Sequence, residues 1–136
     1  MKKKFCLIFA LVFTLSTLFS PMVSASDRTL FDYNTSSVYT NFSISDTGEA
    51  HVIVDYTGFP GVATGATVRI KIEKRNLLVF WTEVIVDIHY FREASHAETF
   101  VYQLEKSGTY RCTVEYLISG TGGADDEIVF QDTASY

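Results

Sequence analysis

The stretch KSGTYRCTVEY, residues 106–116, decides the fold class because polar and apolar residues alternate along it with a period of two. The alternation predicts a β-strand that turns Tyr110, Cys112 and Val114 to one face. A Tyr two positions before a Cys is typical of antiparallel sandwiches in which that Cys bonds a second Cys across the core. The other cysteine of this chain is Cys6, close to the N-terminus.

The N-terminus has the three regions of a secretory signal peptide. Lysines at positions 2–4 precede an apolar run over residues 5–19, and small residues lead up to Ala25. We predict a signal-peptide helix over residues 1–25 that is cleaved after Ala25, which removes Cys6 and secretes the mature chain. The alternative is an uncleaved membrane anchor, but the apolar run is shorter than the roughly 20 residues that span a bilayer.

The mature chain, residues 26–136, has a length that suits one domain. Cleavage removes three lysines and leaves eight basic and sixteen acidic residues, a net charge of −8 with neutral histidines. Nucleic acids and anionic membrane surfaces both need a basic footprint, so we expect no nucleic-acid partner and no membrane contact after cleavage. A single Cys in an exported domain also means that the fold relies on its apolar core.

Patterns with a period of two recur through the mature chain, and patterns with the period of a helix are absent. After a polar leader at residues 26–36, one domain covers residues 37–136. We predict an all-β fold, a single antiparallel immunoglobulin-like β-sandwich of about seven strands. The predicted strands cover residues 37–45, 49–56, 67–74, 79–91, 98–104, 109–119 and 127–133.

The position that would pair with Cys112 in a bridged sandwich is aliphatic here. Val52 and Val54 are the inward residues of the second predicted strand, which would face Cys112 across the core. We therefore expect Cys112 to be a small buried hydrophobic residue, and the alternative is an exposed thiol that pairs two chains. The hydroxyl of Tyr110 is expected to bond to backbone near the preceding turn, as in a tyrosine corner.

A signal peptide, a polar leader, seven strands and a penultimate KSGTYR strand occur here in that order. The order resembles small secreted proteins of Gram-positive bacteria with an immunoglobulin-like or fibronectin-III-like sandwich. Residues 106–111, 120–123 and 127–130 match their pattern, and so does Trp81. These proteins have no assigned function, so the resemblance implies no catalytic residues. The chain departs from them in its unusually apolar fourth strand and in the acids at residues 125–127.

Three loops of the predicted sandwich share one end, at residues 57–66, 92–97 and 120–126. Loops on a rigid sandwich often carry binding, and the alternative is that their glycines only satisfy turn geometry. The candidate ligand-binding residues in these loops are Phe59, His96, Asp125 and Asp126.

Two groups of residues have the chemistry of metal ligands. The acids at residues 125–127 are candidates for Ca²⁺, but three adjacent acids along a strand cannot all point at one ion, so a solvated acidic turn is preferred. Asp87 with His89, and His96 with Glu98, have the i, i+2 spacing that puts each pair on one face of a strand, as a zinc site needs. Surface histidines are commoner than zinc ligands, so we predict no metal and no cofactor.

Trp81 is a further candidate binding residue. It shares its strand parity with Ile85 and Phe91, and if the opposite parity faces the core these three form an outward apolar stripe for a partner or a sugar. The opposite parity is held by Val84, Val86 and Ile88. The alternatives are a local bulge that turns Trp81 inward, or cover from the leader.

The sequence gives little support for an enzymatic function. His51, His89 and His96 lie in no recognisable acid/base motif, and no serine stands in a nucleophile elbow. We expect a non-enzymatic extracellular binding module that uses the loops at one end to bind an extracellular protein or glycan. The alternative is a structural or self-assembling cell-surface subunit that pairs through edge strands.

Overall fold

The computed structural model describes residues 33–77 and 79–136, which form seven strands. The strands are β1 (Thr35–Ile44), β2 (Glu49–Gly58), β3 (Ala63–Asn76), β4 (Phe80–Phe91), β5 (Ser95–Gln103), β6 (Thr109–Gly120) and β7 (Asp126–Ser135). No helix in this part of the chain is long and apolar enough to cross a bilayer. The predicted signal peptide and most of the predicted leader lie outside the described residues.

The strands form two antiparallel sheets, with the order β1-β2-β5 in one and β4-β3-β6-β7 in the other. The inward faces of the two sheets share one buried apolar cluster, so the sheets pack face to face. Its fully buried members from β2, β3 and β6 include Val52, Val54, Ile70, Ile72, Cys112 and Val114. The prediction of an all-β fold with seven antiparallel strands is therefore confirmed.

Strands β2 and β3 extend further than the sequence predicted, and glycines explain why. Gly65 lies inside β3, where a Cβ would stand 2.4 Å from the backbone oxygen of Phe91. A Cβ on Gly58, at the end of β2, would stand 2.8 Å from the backbone oxygen of Ala94. These glycines permit close approach of a neighbouring backbone rather than marking a turn, so the loops between the strands are short.

The predictions for Cys112 and Tyr110 are confirmed. Cys112 is fully buried in the cluster that also contains Val52 and Val54 of the facing sheet. Burial, with a smaller contribution from Asp132, raises the pKa of its thiol to about 12. Tyr110 donates its hydroxyl to the backbone carbonyl of Lys106, in the turn that precedes β6.

In strand β4, the residues that were expected to face outward face the core. Ile85 and Phe91 pack against the core cluster, whereas Val84, Val86 and Ile88 are 46%, 41% and 45% exposed. The outward stripe of Trp81, Ile85 and Phe91 considered above is therefore wrong.

The pairing of β4 with β3 gives the physical reason. Val86 pairs with Lys71 and Ile88 with Arg69, and these basic residues alternate with the buried Val68, Ile70 and Ile72 of β3. Paired residues in a sheet point to the same face, so Val86 and Ile88 must leave the core with their basic partners.

A β-bulge decides the position of Trp81. The register between β3 and β4 shifts at Ile72, which leaves Val84 as an extra residue of β4. Beyond the bulge Trp81 pairs with Arg75 and lies on the outer face of the sheet. The bulge therefore turns Trp81 outward relative to Ile85, and not inward as the alternative above proposed.

Burial of Cys112 predicts a thiol that does not react in the folded protein. The mature chain should resist a thiol reagent under native conditions and take up one equivalent after unfolding in urea, because a buried thiol with a raised pKa holds little thiolate. Cys112→Ser should lower the free energy of unfolding by about 1–3 kcal/mol, since it places a hydroxyl in an apolar core. Rapid labelling of the native protein would contradict the burial of Cys112.

Candidate functional site

The three loops expected at one end of the sandwich do meet there. The backbone N–H of Gly58 donates to the carbonyl of Ala94 at 2.8 Å, which joins the β2–β3 and β4–β5 loops. The N–H of Thr121 donates to the carbonyl of Val62 at 2.9 Å, which joins the β2–β3 and β6–β7 loops. We call this surface the loop end.

Phe59 stands at the tip of the loop end with a ring that is 41% exposed. Its backbone is held firmly, because its N–H donates to the carbonyl of Asn34 and its own carbonyl accepts from Val62 and Ala63. Phe59 is thus a single apolar ring on a cross-bonded loop.

Asp126 and Asp125 have different environments although they are neighbours. Asp126 is buried, and its Oδ1 accepts the backbone N–H of Tyr33 at 2.8 Å. Its Oδ2 accepts the N–H of Asn34 and the hydroxyl of Thr35, both at 2.7 Å. The carboxylate of Asp126 therefore fastens the start of β1 to the start of β7, while Asp125 is exposed.

Asn34 completes this attachment, which we call the Asp126 clamp. The side-chain amide of the buried Asn34 donates to the carbonyls of Ile118 and Ala124, and its oxygen accepts from the N–H of Gly122. Burial opposes ionisation of Asp126, but the hydrogen bonds from Thr35, Tyr33 and Asn34 outweigh it and lower the pKa of the carboxyl. Both oxygens of Asp126 are thus occupied within the fold, and a ligand at this end would meet Asp125 instead.

Replacement of Asp126 by Asn should destabilise the fold, because an amide nitrogen cannot accept the hydrogen bonds that one carboxylate oxygen accepts. We expect Asp126→Asn to lower the free energy of unfolding at neutral pH by about 1–3 kcal/mol, measured in urea. A lowered pKa stabilises the fold above the pKa of an unfolded Asp, and this stabilisation is lost as the pH falls through the folded pKa. The difference between the two proteins should therefore shrink in acid.

The matched control for this experiment is Asp125→Asn, which removes the same charge from an exposed position. It should change the stability little at any pH. Equal losses in the two variants would mean that net charge matters here and the clamp does not.

The two sheets also meet along the edge strands β4 and β5, where histidines stack on phenylalanines. The rings of His96 and Phe91 are 4.0 Å apart, and those of His89 and Phe100 are 4.1 Å apart, measured between centroids. Tyr102 donates its hydroxyl to Oδ2 of Asp87 at 3.0 Å. We call this line of contacts the β4–β5 seam.

His96 lies between two carboxylates. Its Nε2 is 3.1 Å from an oxygen of Glu98 and its Nδ1 is 3.2 Å from an oxygen of Glu93. The hydrogen bond to Glu98 raises the pKa of His96, with a further contribution from Glu93, although partial burial works against it.

The spacing predicted that Asp87 with His89, and His96 with Glu98, each lie on one face of a strand, and the fold brings both pairs to the β4–β5 seam. Aromatic rings stand against both imidazoles, and no group of three or more His, Cys, Asp or Glu within residues 33–77 and 79–136 is arranged to hold a metal ion. Nε2 of His89 is 3.0 Å from Oδ2 of Asp87, yet it is buried without a properly directed hydrogen bond.

The environment of His96 predicts a pH effect on stability. A raised pKa means that the protonated ring stabilises the fold below the pKa of an unfolded His, and that this stabilisation is lost as the pH rises through the folded pKa. Glu98→Gln should lower the pKa of His96 in an NMR titration, because it removes the main carboxylate partner. Glu127→Gln, an exposed acid on β7, should leave it unchanged, and equal shifts in both variants would contradict the local pairing.

The outer face of the four-stranded sheet carries an apolar patch that the sequence did not single out. Val86, Ile88 and Tyr90 lie along β4, and Tyr90 is 76% exposed. We call these three residues the β4 stripe. Leu117 of β6 and Val129 of β7 are also exposed on this face, and they border a shallow depression with Ile88 and Tyr90. The Arg69–Glu115 ion pair, at 3.3 Å, lies between the two apolar groups.

Trp81 lies further along the same outer face, and it is partly covered. The guanidinium carbon of Arg111 is 4.5 Å from the centroid of the Trp81 ring. Arg111 is itself held by Glu73, with its Nε and Nη2 at 2.8 and 2.7 Å from Oε2. The ion pair with Glu73 thus holds the guanidinium group of Arg111 over the Trp81 ring in a cation–π contact.

A cleft of about 500 Å³ opens at the end of the sandwich opposite to the loop end. Its walls combine two lysines, a glutamate and several apolar side chains: Lys74, Lys106, Glu105, Val84, Leu104 and Tyr110. These residues come from separate segments of the chain, so no local pattern could have predicted the cleft. The mixed charge of its walls does not define one class of ligand.

The sequence was compared with protein-family models and with curated proteins. No family model matches the chain, and no curated protein matches its sequence. The function must therefore be argued from the surfaces described above.

The sequence did contain a sign of the apolar patch on the outer face, because parts of β4 and β7 have apolar residues at both odd and even positions. Residues 84–86 and 128–130 are unbroken apolar runs, which are typical of strands buried on both faces. This sandwich covers only one face of each sheet, so one parity of each run must remain on the surface.

Proposed function

We propose that the mature chain is a secreted, non-enzymatic binding module with an immunoglobulin-like fold, and that it binds through β4 and the adjoining outer face of its sheet. Secretion is supported by the charged, apolar and small-residue regions of residues 1–25. The partner is expected to be an extracellular protein or glycan.

The immunoglobulin-like assignment is supported by the order of the strands. With β1 to β7 lettered A, B, C, C′, E, F and G, the sheets read A-B-E and C′-C-F-G. This lettering separates strands B and F into facing sheets, as in immunoglobulin domains. The Tyr110 hydroxyl bonded to backbone at the start of strand F agrees with a tyrosine corner.

A role in binding rather than catalysis is supported by the state of the reactive side chains. The thiol of Cys112 is buried with a raised pKa, which disfavours a nucleophile. His96 is held between Glu93 and Glu98, and His89 is stacked on Phe100, so neither is free to act as a general base at an open site.

One observation carries the choice of surface. Of the thirteen exposed large apolar side chains within residues 33–77 and 79–136, seven lie on β4 or on the turn before it. They are Leu77, Val79, Phe80, Val84, Val86, Ile88 and Tyr90. Exposed apolar residues gathered on one strand are a feature of interaction surfaces, whereas isolated ones are ordinary.

The loop end is the weaker candidate. It offers two exposed aromatic rings, Phe59 and Tyr33, beside short loops that bond to one another, against seven exposed apolar side chains on or before β4. The carboxylate of Asp126 is engaged in the clamp, which leaves Asp125 as the free acid of that loop. A loop-based ligand would therefore have little apolar surface to cover.

The test compares binding by variants that keep the fold. The mature chain is immobilised and exposed to the native culture supernatant and cell envelope, and the retained material is identified by mass spectrometry. The double variant Val86→Thr/Ile88→Thr should lose most of the retained partner, because threonine keeps the strand propensity but removes apolar surface. Its melting temperature should remain close to that of the native protein, because both positions are exposed.

Two controls make this test specific. Val101→Thr changes an equally exposed valine on β5 of the other sheet and should retain the partner. Phe59→Ala removes the exposed phenylalanine ring of the loop end and should also retain it. Loss of the partner in Phe59→Ala, with retention in the β4 double variant, would transfer the function to the loops.

A further inference from the structure

We infer that the partner of β4 is a second copy of this chain, and that two β4 strands pair antiparallel about Ile88 to join the four-stranded sheets into one sheet of eight strands. This inference rests on the proposed function of β4 as the binding surface. It names a second copy as the partner that pairs with the open edge of β4.

The first argument is that β4 has an open edge. β4 ends the order β4-β3-β6-β7, so within the described part of the chain one side of its backbone faces no other strand. Edge strands are normally protected from pairing by lysine, proline or inward charges. Phe80–Phe91 contains no Lys, Arg or Pro, its bulge lies near one end, at Val84, and its inward charge beyond the bulge, Asp87, would face the partner's His89 in the register argued below. The rest of the strand is therefore free to pair.

The second argument is the register. A twofold axis perpendicular to the joined sheet leaves the outer faces of both chains on the same side of it. An even-numbered residue of β4 can therefore stand opposite only an even-numbered residue of the partner strand, and an odd-numbered residue opposite only an odd-numbered one. Centring the pair on Ile88 places Asp87 opposite the partner's His89, and does so twice. Centring it on Asp87 or on His89 would place two carboxylates or two imidazoles opposite each other, which disfavours both registers. Centring it on Val86 would place Asp87 opposite an isoleucine.

The third argument is that the monomer leaves one of these two groups, His89, without a directed hydrogen bond. His89 has a buried Nε2 without a directed hydrogen bond, which is uncommon for a buried polar atom. Oδ2 of Asp87 accepts the hydroxyl of Tyr102 and is 3.0 Å from Nε2 of His89. Directly opposite residues of paired strands have Cβ atoms about 5 Å apart, so the partner's Asp87 would stand within reach of the His89 ring.

The fourth argument is that the same register brings the exposed apolar residues of the two outer faces side by side. On the outer face Ile88 meets the partner's Ile88, and Val86 meets the partner's Tyr90. Three exposed apolar residues of each chain thus become one continuous strip across the joined sheets. Cross-strand pairs of β-branched and aromatic residues are the favourable ones in antiparallel sheets.

The first experiment measures association directly. Sedimentation of the mature chain over a range of concentrations should show a monomer–dimer equilibrium. Ile88→Lys should raise the dimer dissociation constant by about tenfold or more, because it sets two like charges opposite each other. Val101→Thr is the control and should not change it. A native protein that stays monomeric, or association that Ile88→Lys leaves unchanged, would overturn the inference.

The second experiment tests the register with cysteines in the mature chain, where the buried Cys112 does not compete. Ile88→Cys should form a disulfide-linked dimer on mild oxidation. Val86→Cys and Tyr90→Cys should each form no disulfide-linked dimer alone and should cross-link when the two are mixed. Cross-linking of Val86→Cys with itself would overturn the Ile88 register in favour of one centred on Val86.

The charge pair gives an independent complementation test. Asp87→His and His89→Asp should each weaken the dimer, because each places like groups opposite each other. An equal mixture of the two variants should restore it, because every His then faces an Asp. Failure of the mixture to associate, with both variants folded, would contradict the Asp87–His89 pairing.

These outcomes separate the inference from the proposed function. If the native chain is monomeric and Ile88→Cys stays reduced, self-pairing fails. The proposed function still stands in that case if Val86→Thr/Ile88→Thr abolishes retention of another partner. If neither association nor retention depends on β4, both fail.

Discussion

The sandwich depends on one apolar interface between its sheets, where Val52 and Val54 of β2 belong to the same buried cluster as Cys112 and Val114 of β6. No disulfide crosses this interface in the described part of the chain, because the position facing Cys112 is aliphatic. The free energy that holds the sheets together therefore comes from burying apolar area, about 25 cal/mol for each Å² removed from water. A domain of this size can be stable on that basis only if its core is complete.

The Asp126 clamp shows how the same fold deals with a buried charge. A carboxylate inside a sandwich is costly unless hydrogen bonds replace its lost hydration, and Asp126 receives bonds from Tyr33, Asn34 and Thr35. Since these donors all lie at the start of β1, the charge fixes where the chain enters the sandwich. An acid in a glycine loop thus has a structural role, and its carboxylate is engaged within the fold and not available to a ligand.

The completeness of the core has a consequence for β4. Each sheet has one face in the core, and β4 already contributes Ile85 and Phe91 to it. The apolar residues of its other parity then have no place inside one copy of the domain. Their gathering on an edge strand, beside an unsatisfied histidine, is the reason for locating the function there and for proposing a second copy as the partner.

The sequence alone determined the features that depend on strands with one polar face and one apolar face. The all-β class, the number of strands and the burial of Cys112 follow from the alternation in residues such as those of β6, and the bond of Tyr110 follows from the position of this Tyr two residues before Cys112. Only the tertiary structure decided which side of β4 faces the core, because both parities are apolar there and pairing with Lys71 and Arg69 sets the face. It also decided that Asp126 is buried, because its donors lie more than ninety residues away in the chain. Alternation is a local property, whereas register and hydrogen-bond partners depend on segments that only folding brings together.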